Sequence, residues 1–189
     1  MSREVTTAIE GLSAADAEAR AAAAREIFDV GKKAAERATE KWWSNAELAG
    51  LLLGAKREVT VGVAVQRETF GKIRVANAVA VLAEVPSEQD AEEYELRFDG
   101  GVELDVLTSR APGGDGAIAK FLAKFGEGVQ QVEFRCRDVA KAASILKEEL
   151  GVKAVYPETR SGADGTRVNF FLVENPEGGK ILIELFEKA

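Results

Sequence analysis

The pattern of hydrophobic and polar positions divides the chain into two unlike parts. Residues 13–54 are rich in alanine, and their apolar positions recur every three or four residues, which predicts helices. Residues 58–187 are richer in Val, Phe and Gly and contain runs in which apolar and polar positions alternate, which predicts strands. We therefore predict an Ala-rich N-terminal helical extension, residues 1–56, and a second domain, residues 57–189.

Capping residues mark the predicted helices of the first part. Ser13, followed three positions later by Asp16, favours a helix start, and Ser44 with Glu47 has the spacing of a capping box. Gly54 is a residue type that commonly follows a helix end. These signals predict two helices, which pack on the main domain or on a second subunit; the alternative is a lid that gates a ligand site.

The order of elements in the second part repeats. One helix is predicted at 138–150, with Asp138 as its N-cap and Gly151 after its end. The run after the first strand also has helical character. Strands are predicted at 59–65, 79–85, 93–98, 101–108, 129–137, 152–156, 166–173 and 180–187. Each half thus has the order βαβββ, with module one at 58–125 and module two at 126–189, and the predicted fold class is α+β.

Alternation assigns the strand residues to two faces. In 129–137, Val132 and Phe134 share the face that a helix would cover, so Gln131, Glu133 and Arg135 share the other. By the same reasoning Glu184, Asp105 and Thr60 lie opposite the apolar positions of their own strands. A solvent-exposed sheet face and a concave ligand-binding face would both give this pattern, so it leaves both alternatives open.

Charge and cysteine content exclude several classes of protein. The net charge is −7 and no run of Lys or Arg occurs, which argues against a nucleic-acid partner. No stretch approaches the roughly 20 apolar residues of a membrane-spanning helix. Cys136 is the sole cysteine, so no disulfide can form within the chain, as is usual in a reducing compartment. We expect a cytoplasmic homodimer that binds a small molecule and has no nucleic-acid partner and no membrane partner.

Two stretches resemble a known family. GGDGAIAKFLAKFGEGVQQVEF (113–134) and SGADGTRVNFFLVENPEGGKILIELFE (161–187) are similar to the corresponding stretches of methylmalonyl-CoA epimerases. Those enzymes belong to the vicinal-oxygen-chelate superfamily, with glyoxalase I, extradiol dioxygenases and bleomycin-resistance proteins. The resemblance implies two βαβββ modules whose sheets curl into a cup. It also implies a divalent metal in the cup, which holds two substrate oxygens and stabilises an enolate-like intermediate.

The resemblance assigns four positions to that metal site. The two histidine positions of the family fall on Thr60 and Gln131, the ligand position on the later strand of module one falls near Asp105, and the final-strand glutamate is Glu184. The chain has no histidine at all. We therefore favour a remodelled, metal-free cup. The alternative is a weak Mg²⁺ or Mn²⁺ site made of Asp105, Gln131 and Glu184, because oxygen ligands suit those ions.

The remaining polar residues of the cup predict a chemistry without imidazole. Glu184 is a candidate base next to a thioester, Glu133 or Asp105 a second acid or base, and Arg135 or the Gln131 amide a stabiliser of an oxyanion. Thr60, Gln131 and Asn169 are the predicted ligand contacts. The alternative is that the charged residues form a solvated network of ion pairs.

Three functions remain open on the sequence. The first is a protein that binds a small molecule in a metal-free cup. The second is an isomerase, such as an epimerase, or a lyase that acts on a carbonyl or thioester substrate with an oxygen-ligand metal; any other cofactor is unknown. The third is a structural homodimer, joined by the Ala-rich helices, in which the site is vestigial.

Overall fold

The computed structural model describes residues 3–52, 58–176 and 178–188. Predictions at Gly54 and at the 56/57 boundary lie outside these residues. The helices are α1 Arg3–Gly11, α2 Ala17–Ala38, α3 Ala46–Leu51, α4 Arg67–Ala76, α5 Ala117–Phe125 and α6 Val139–Glu148. The strands are β1 Val59–Ala64, β2 Ala91–Phe98, β3 Val102–Ser109, β4 Gly128–Arg135, β5 Arg160–Ser161, β6 Arg167–Glu174 and β7 Lys180–Glu187. No helix among the described residues combines the length and the apolar character that crossing a membrane requires.

The chain divides into two compact units that do not follow the predicted extension. The first unit is made of Met1–Val30 and Thr60–Gln130, and the second of Gly31–Val59 and Gln131–Ala189. The predicted helical region is therefore shared between the units. Whether residues 1–56 behave as a separate domain stays a prediction.

The first unit contains a sheet in the order β2-β3-β1. Strand β1 pairs parallel with β3, and β2 pairs antiparallel with β3 along its whole length. Helix α4 contacts β3, and the ring of Phe70 from α4 lies 4.6 Å from the ring of Tyr94 on β2. The Tyr94 hydroxyl donates a hydrogen bond to the carbonyl of Phe70, which gives the one polar atom of this buried ring a partner.

The strand predicted at 79–85 is absent from the first unit, and this prediction was wrong. The guanidinium of Arg74 donates to the carbonyls of Val79 and Ala80, and these bonds tie the segment to the end of α4. The backbone N–H of Ala83 donates to the carbonyl of Glu93 and joins the segment to β2. The carbonyls that a strand ladder would use are therefore already bonded to a side chain.

Helix α1 was not predicted from the sequence. Its apolar residues have helical spacing and are buried, with exposed fractions of 5% or less: Val5, Ala8, Ile9 and the following Leu12. Asp16 accepts a bond from the backbone of Ala19 and so caps α2. The helix start predicted at Ser13 was wrong, because the Ser13 hydroxyl donates back to the carbonyl of Glu10.

The second unit contains a sheet in the order β4-β7-β6-β5. Strand β4 pairs parallel with β7, while β6 pairs antiparallel with β7 and with β5. Asp138 caps α6 by accepting from the backbone of Lys141, as predicted. The strand predicted at 152–156 is reduced to an isolated bridge between Ala154 and Phe171, so this prediction was wrong in extent.

Trp42 lies in the core of the second unit. It belongs to a 3-10 turn, Glu40–Ser44, and its side chain is 2% exposed. The indole ring meets the rings of Phe134 and Phe171 edge-on, with centroids 6.5 and 6.1 Å away. The segment before the first strand thus supplies a large part of the second unit's core.

The cap of α3 is Asn45 and not the predicted Ser44. The side-chain oxygen of Asn45 accepts a hydrogen bond from the backbone N–H of Leu48, while Ser44 ends the preceding 3-10 turn. Replacing Asn45 with alanine is expected to lower the free energy of unfolding by about 1 kcal/mol, because one orphan N–H of the helix loses its acceptor. Ser44→Ala is the matched control, with no measurable change expected in a urea titration. A larger loss for Ser44→Ala would show that the cap is misassigned.

Candidate functional site

Three polar residues of the second unit share one face of its sheet. In the parallel pairing of β4 with β7, Glu133 lies beside Glu184 and Gln131 lies beside Leu182. Paired positions point to the same side of a sheet, and so do positions two apart in a strand. Gln131, Glu133 and Glu184 therefore lie together, and we call the side of the sheet that carries them the carboxylate face.

Gln131 holds the two carboxylates of this face. Its Nε2 donates to Oε1 of Glu133 at 3.0 Å and to Oε2 of Glu184 at 2.6 Å. The three residues are only 7–8% exposed. Two carboxylates this close repel each other unless they share a proton or balance a cation, and a pair that shares one proton can act as an acid and a base.

Arg135 has the same strand phase as Gln131 and Glu133, but its guanidinium is paired with a different carboxylate. Its guanidinium donates to the carboxylate of Glu58 at 2.6 Å, and its side chain is 44% exposed. The charge that would stabilise an oxyanion is thus already paired at the end of β4.

Asn169 lies on the opposite face from Glu184. The β6–β7 register places Asn169 beside the buried Leu185 and places Phe170 beside Glu184. Its Oδ1 accepts a hydrogen bond from the backbone of Phe170, and its Nδ2 is buried with no partner in the described residues. The structure therefore does not bring this predicted ligand contact to the carboxylate face.

Thr60 and Asp105 belong to the first unit. The Thr60 hydroxyl donates a long bond of 3.5 Å to Glu103, and Asp105 lies beside Gly62 of β1 and Glu95 of β2. The hydrogen bond to Glu95 raises the pKa of Arg97, and the charges of Glu95, Glu103 and Asp105 add to that effect. This face of the first unit thus carries a group of charged residues centred on Arg97, which pairs with Glu95 and Glu103.

The two adjacent glutamines of β4 have different surroundings. Gln131 is bonded to both carboxylates, whereas Oε1 of Gln130 is buried with no hydrogen-bond partner in the described residues. Cys136 follows on the face of Phe134, and burial raises the pKa of its thiol to about 11. A thiol that stays protonated at neutral pH is a core residue rather than a nucleophile.

Sequence reasoning missed an aromatic and cationic group on the carboxylate face. Phe170 lies beside Glu184, and the Tyr156 ring meets the Phe170 ring nearly perpendicularly, with centroids 6.0 Å apart. The guanidinium of Arg160 lies over Tyr156, 4.3 Å from the ring centroid. The sequence VNFFLV contains two adjacent phenylalanines, which must lie on opposite faces of the strand. Alternation alone therefore does not indicate which of the two shares a face with Glu184.

The described residues do not fit the metal centre that the family resemblance implies. The chain has no histidine, and within residues 3–52, 58–176 and 178–188 no group of three or more His, Cys, Asp or Glu side chains could hold a metal ion. Gln131 also presents an N–H, not an oxygen, to Glu133 and Glu184. A donor arrangement of this kind lacks the ligands that Zn²⁺, Ni²⁺ or Co²⁺ prefers.

Comparison with solved structures finds extensive similarity to epimerases. The methylmalonyl-CoA epimerase of Mycobacterium tuberculosis is 30% identical over 69% of this chain and 86% of its own, with a TM-score of 0.55. A variant of the Streptomyces coelicolor enzyme, in complex with 2-nitronate-propionyl-CoA, is 31% identical over 70% and 97%, with a TM-score of 0.56. A methylmalonyl-CoA epimerase in complex with methylmalonyl-CoA and NH4+ is 32% identical over 70% and 94%, with a TM-score of 0.56.

Other comparisons add nothing to this assignment, since no family model and no curated protein matches the chain. The structural similarity confirms the predicted α+β fold of the vicinal-oxygen-chelate type. These three epimerases are at least 30% identical to the chain, and the matched regions cover most of their length. The chain therefore belongs to the methylmalonyl-CoA epimerase family of the vicinal-oxygen-chelate superfamily.

Proposed function

We propose that this protein binds an acyl-CoA thioester, or a related carbonyl compound, on the carboxylate face and without a histidine-bound metal. Two of its structural relatives are complexes with such ligands, methylmalonyl-CoA and 2-nitronate-propionyl-CoA. The observation that carries the proposal is the cluster of Gln131, Glu133 and Glu184, in which one amide holds two buried carboxylates. Half-buried apolar side chains, Leu182 and Phe170, border the cluster and suit the acyl part of a thioester.

The same cluster favours proton transfer as a second function. A base next to a thioester removes a proton from the α-carbon, and a second acid returns one, which is what an epimerase requires. Glu184 and Glu133 supply the two partners, and the Gln131 amide, which is bonded to both carboxylates, holds them next to each other. Thr60 and Asp105 as further ligand contacts, and an Mg²⁺ or Mn²⁺ site, stay predictions.

Chelator-treated protein is expected to bind methylmalonyl-CoA in a calorimetric titration. Leu182→Trp adds bulk beside Gln131 and is expected to weaken binding about tenfold or more. Val81→Trp, at a position 78% exposed in the first unit, is the matched control and should bind as the unchanged protein does. Glu184→Gln should stop exchange of the α-proton with deuterium from solvent, which NMR follows directly.

The alternatives give different results in the same titration. Binding that returns only after Mg²⁺ or Mn²⁺ is added would revive the oxygen-ligand metal site. No binding under either condition would contradict the proposal and leave the structural role. Binding without exchange in the unchanged protein would support a binding module and exclude the epimerase.

A further inference from the structure

Arg160 differs from the other arginines of the second unit's sheet. Arg135 and Arg167 each donate to a carboxylate, Glu58 and Glu187, at 2.6 and 2.7 Å. Arg160 is half-buried and forms no ion pair within the described part of the chain, and its contact is the ring of Tyr156. A guanidinium that is stacked on an aromatic ring keeps its hydrogen-bond donors directed sideways, available to a planar anion.

The strand register places Arg160 on the same side of the sheet as Glu184. Arg160 lies beside Val168 of β6, and Val168 lies beside Phe186 of β7, two positions after Glu184. Strand spacing and rise then put the Cα atoms of Arg160 and Glu184 about 12 Å apart. The apolar surface of Phe170 lies between the cation and the carboxylates.

We propose that Arg160 binds an anionic group of the ligand, a carboxylate or a phosphate, while the thioester lies near Glu184. The inference rests on the proposed function and adds a recognition element to it: a thioester whose carboxylate or phosphate is held by Arg160. Arg160 supplies the positive charge that Arg135 cannot, since Arg135 is paired with Glu58. Guanidinium binds carboxylate and phosphate oxygens in a bidentate manner, so both sources share one chemistry.

The test compares three ligands by calorimetric titration of the full chain. Methylmalonyl-CoA has a carboxylate and phosphates, propionyl-CoA has phosphates only, and methylmalonyl-pantetheine has a carboxylate only. Arg160→Gln is expected to weaken binding about tenfold or more for the ligands that carry the recognised anion. If Arg160→Gln loses affinity for both methylmalonyl esters, the anion that Arg160 binds is the carboxylate. If it loses affinity for both CoA esters, the anion is a phosphate.

The control separates an anion contact from a change in net charge or in stability. Arg137→Gln removes a charge from an exposed arginine just beyond β4 and should leave all three affinities unchanged. Tyr156→Phe keeps the ring under Arg160 and should retain binding. Two results would overturn the inference but leave the proposed function intact. One is that Arg160→Gln binds with the affinity of the unchanged protein, and the other is that it loses the same affinity for all three ligands. Failure of the unchanged protein to bind any of the three would overturn the proposed function and this inference with it.

Discussion

Trp42→Ala is expected to lower the free energy of unfolding by about 3–5 kcal/mol, the cost of removing a large aromatic side chain from a packed core. The indole is 2% exposed and meets the rings of Phe134 and Phe171, which come from β4 and β6. These contacts cannot be restored by neighbouring side chains, because protein interiors relax only partially around a cavity. A loss of this size would show that the helical segment before β1 is an integral part of the second unit.

Trp43→Ala is the matched control for this prediction. Trp43 is the next residue along the chain, is only half-buried, and contacts Phe134 at a tilted angle of 51°. In the same urea titration, Trp43→Ala should lower the free energy of unfolding clearly less than Trp42→Ala does. Equal costs for the two variants would contradict the assignment of Trp42 to the core.

Gln131→Leu is expected to destabilise the protein by about 2–4 kcal/mol near neutral pH, because two buried carboxylates lose their shared donor. Each carboxylate loses the hydrogen bond that Gln131 Nε2 donates to it, at 3.0 Å for Glu133 and 2.6 Å for Glu184. A urea titration of the variant and of the unchanged protein measures the difference in the free energy of unfolding.

Gln130→Leu is the control that the chain itself provides. The two glutamines are adjacent in β4, but Oε1 of Gln130 is buried without a hydrogen-bond partner among the described residues. Replacing a side chain whose amide oxygen is unsatisfied with an apolar side chain should leave the free energy of unfolding unchanged or raise it. A loss for Gln130→Leu as large as that for Gln131→Leu, or no loss for Gln131→Leu, would contradict the role given to Gln131.

The sequence predicted those features that depend on local patterns. The apolar and polar alternation in β4 and β7 correctly assigned Gln131, Glu133 and Glu184 to one face, because the period of a strand is two. Asp138 was recognised as the cap of α6 because a side chain three positions from its partner is a local contact. The order of strands and helices, together with the resemblance, was enough for the fold class.

The errors arose where a distant residue decides the outcome. Arg135 has the right strand phase for the carboxylate face, but its guanidinium forms an ion pair with Glu58, which is 77 positions away in the chain. The segment 79–85 has the composition of a strand, yet Arg74 takes its carbonyls. Asn169 lies on the opposite face from Glu184, and the two consecutive phenylalanines of its strand put one apolar residue on each face, so alternation does not indicate which face Asn169 takes.

The parallel pairing of β4 with β7 also has a kinetic consequence. The β6–β7 hairpin joins Glu174 to Lys180 across a short turn, whereas the bond between Gln131 and Glu184 spans 53 positions. Closing the longer loop costs more entropy, so this contact should form late in folding, after the hairpin and α6. A chain still emerging from the ribosome cannot assemble the cluster until β7 has been synthesised. A ligand that binds there would therefore recognise only the completed second unit and would oppose its unfolding by mass action.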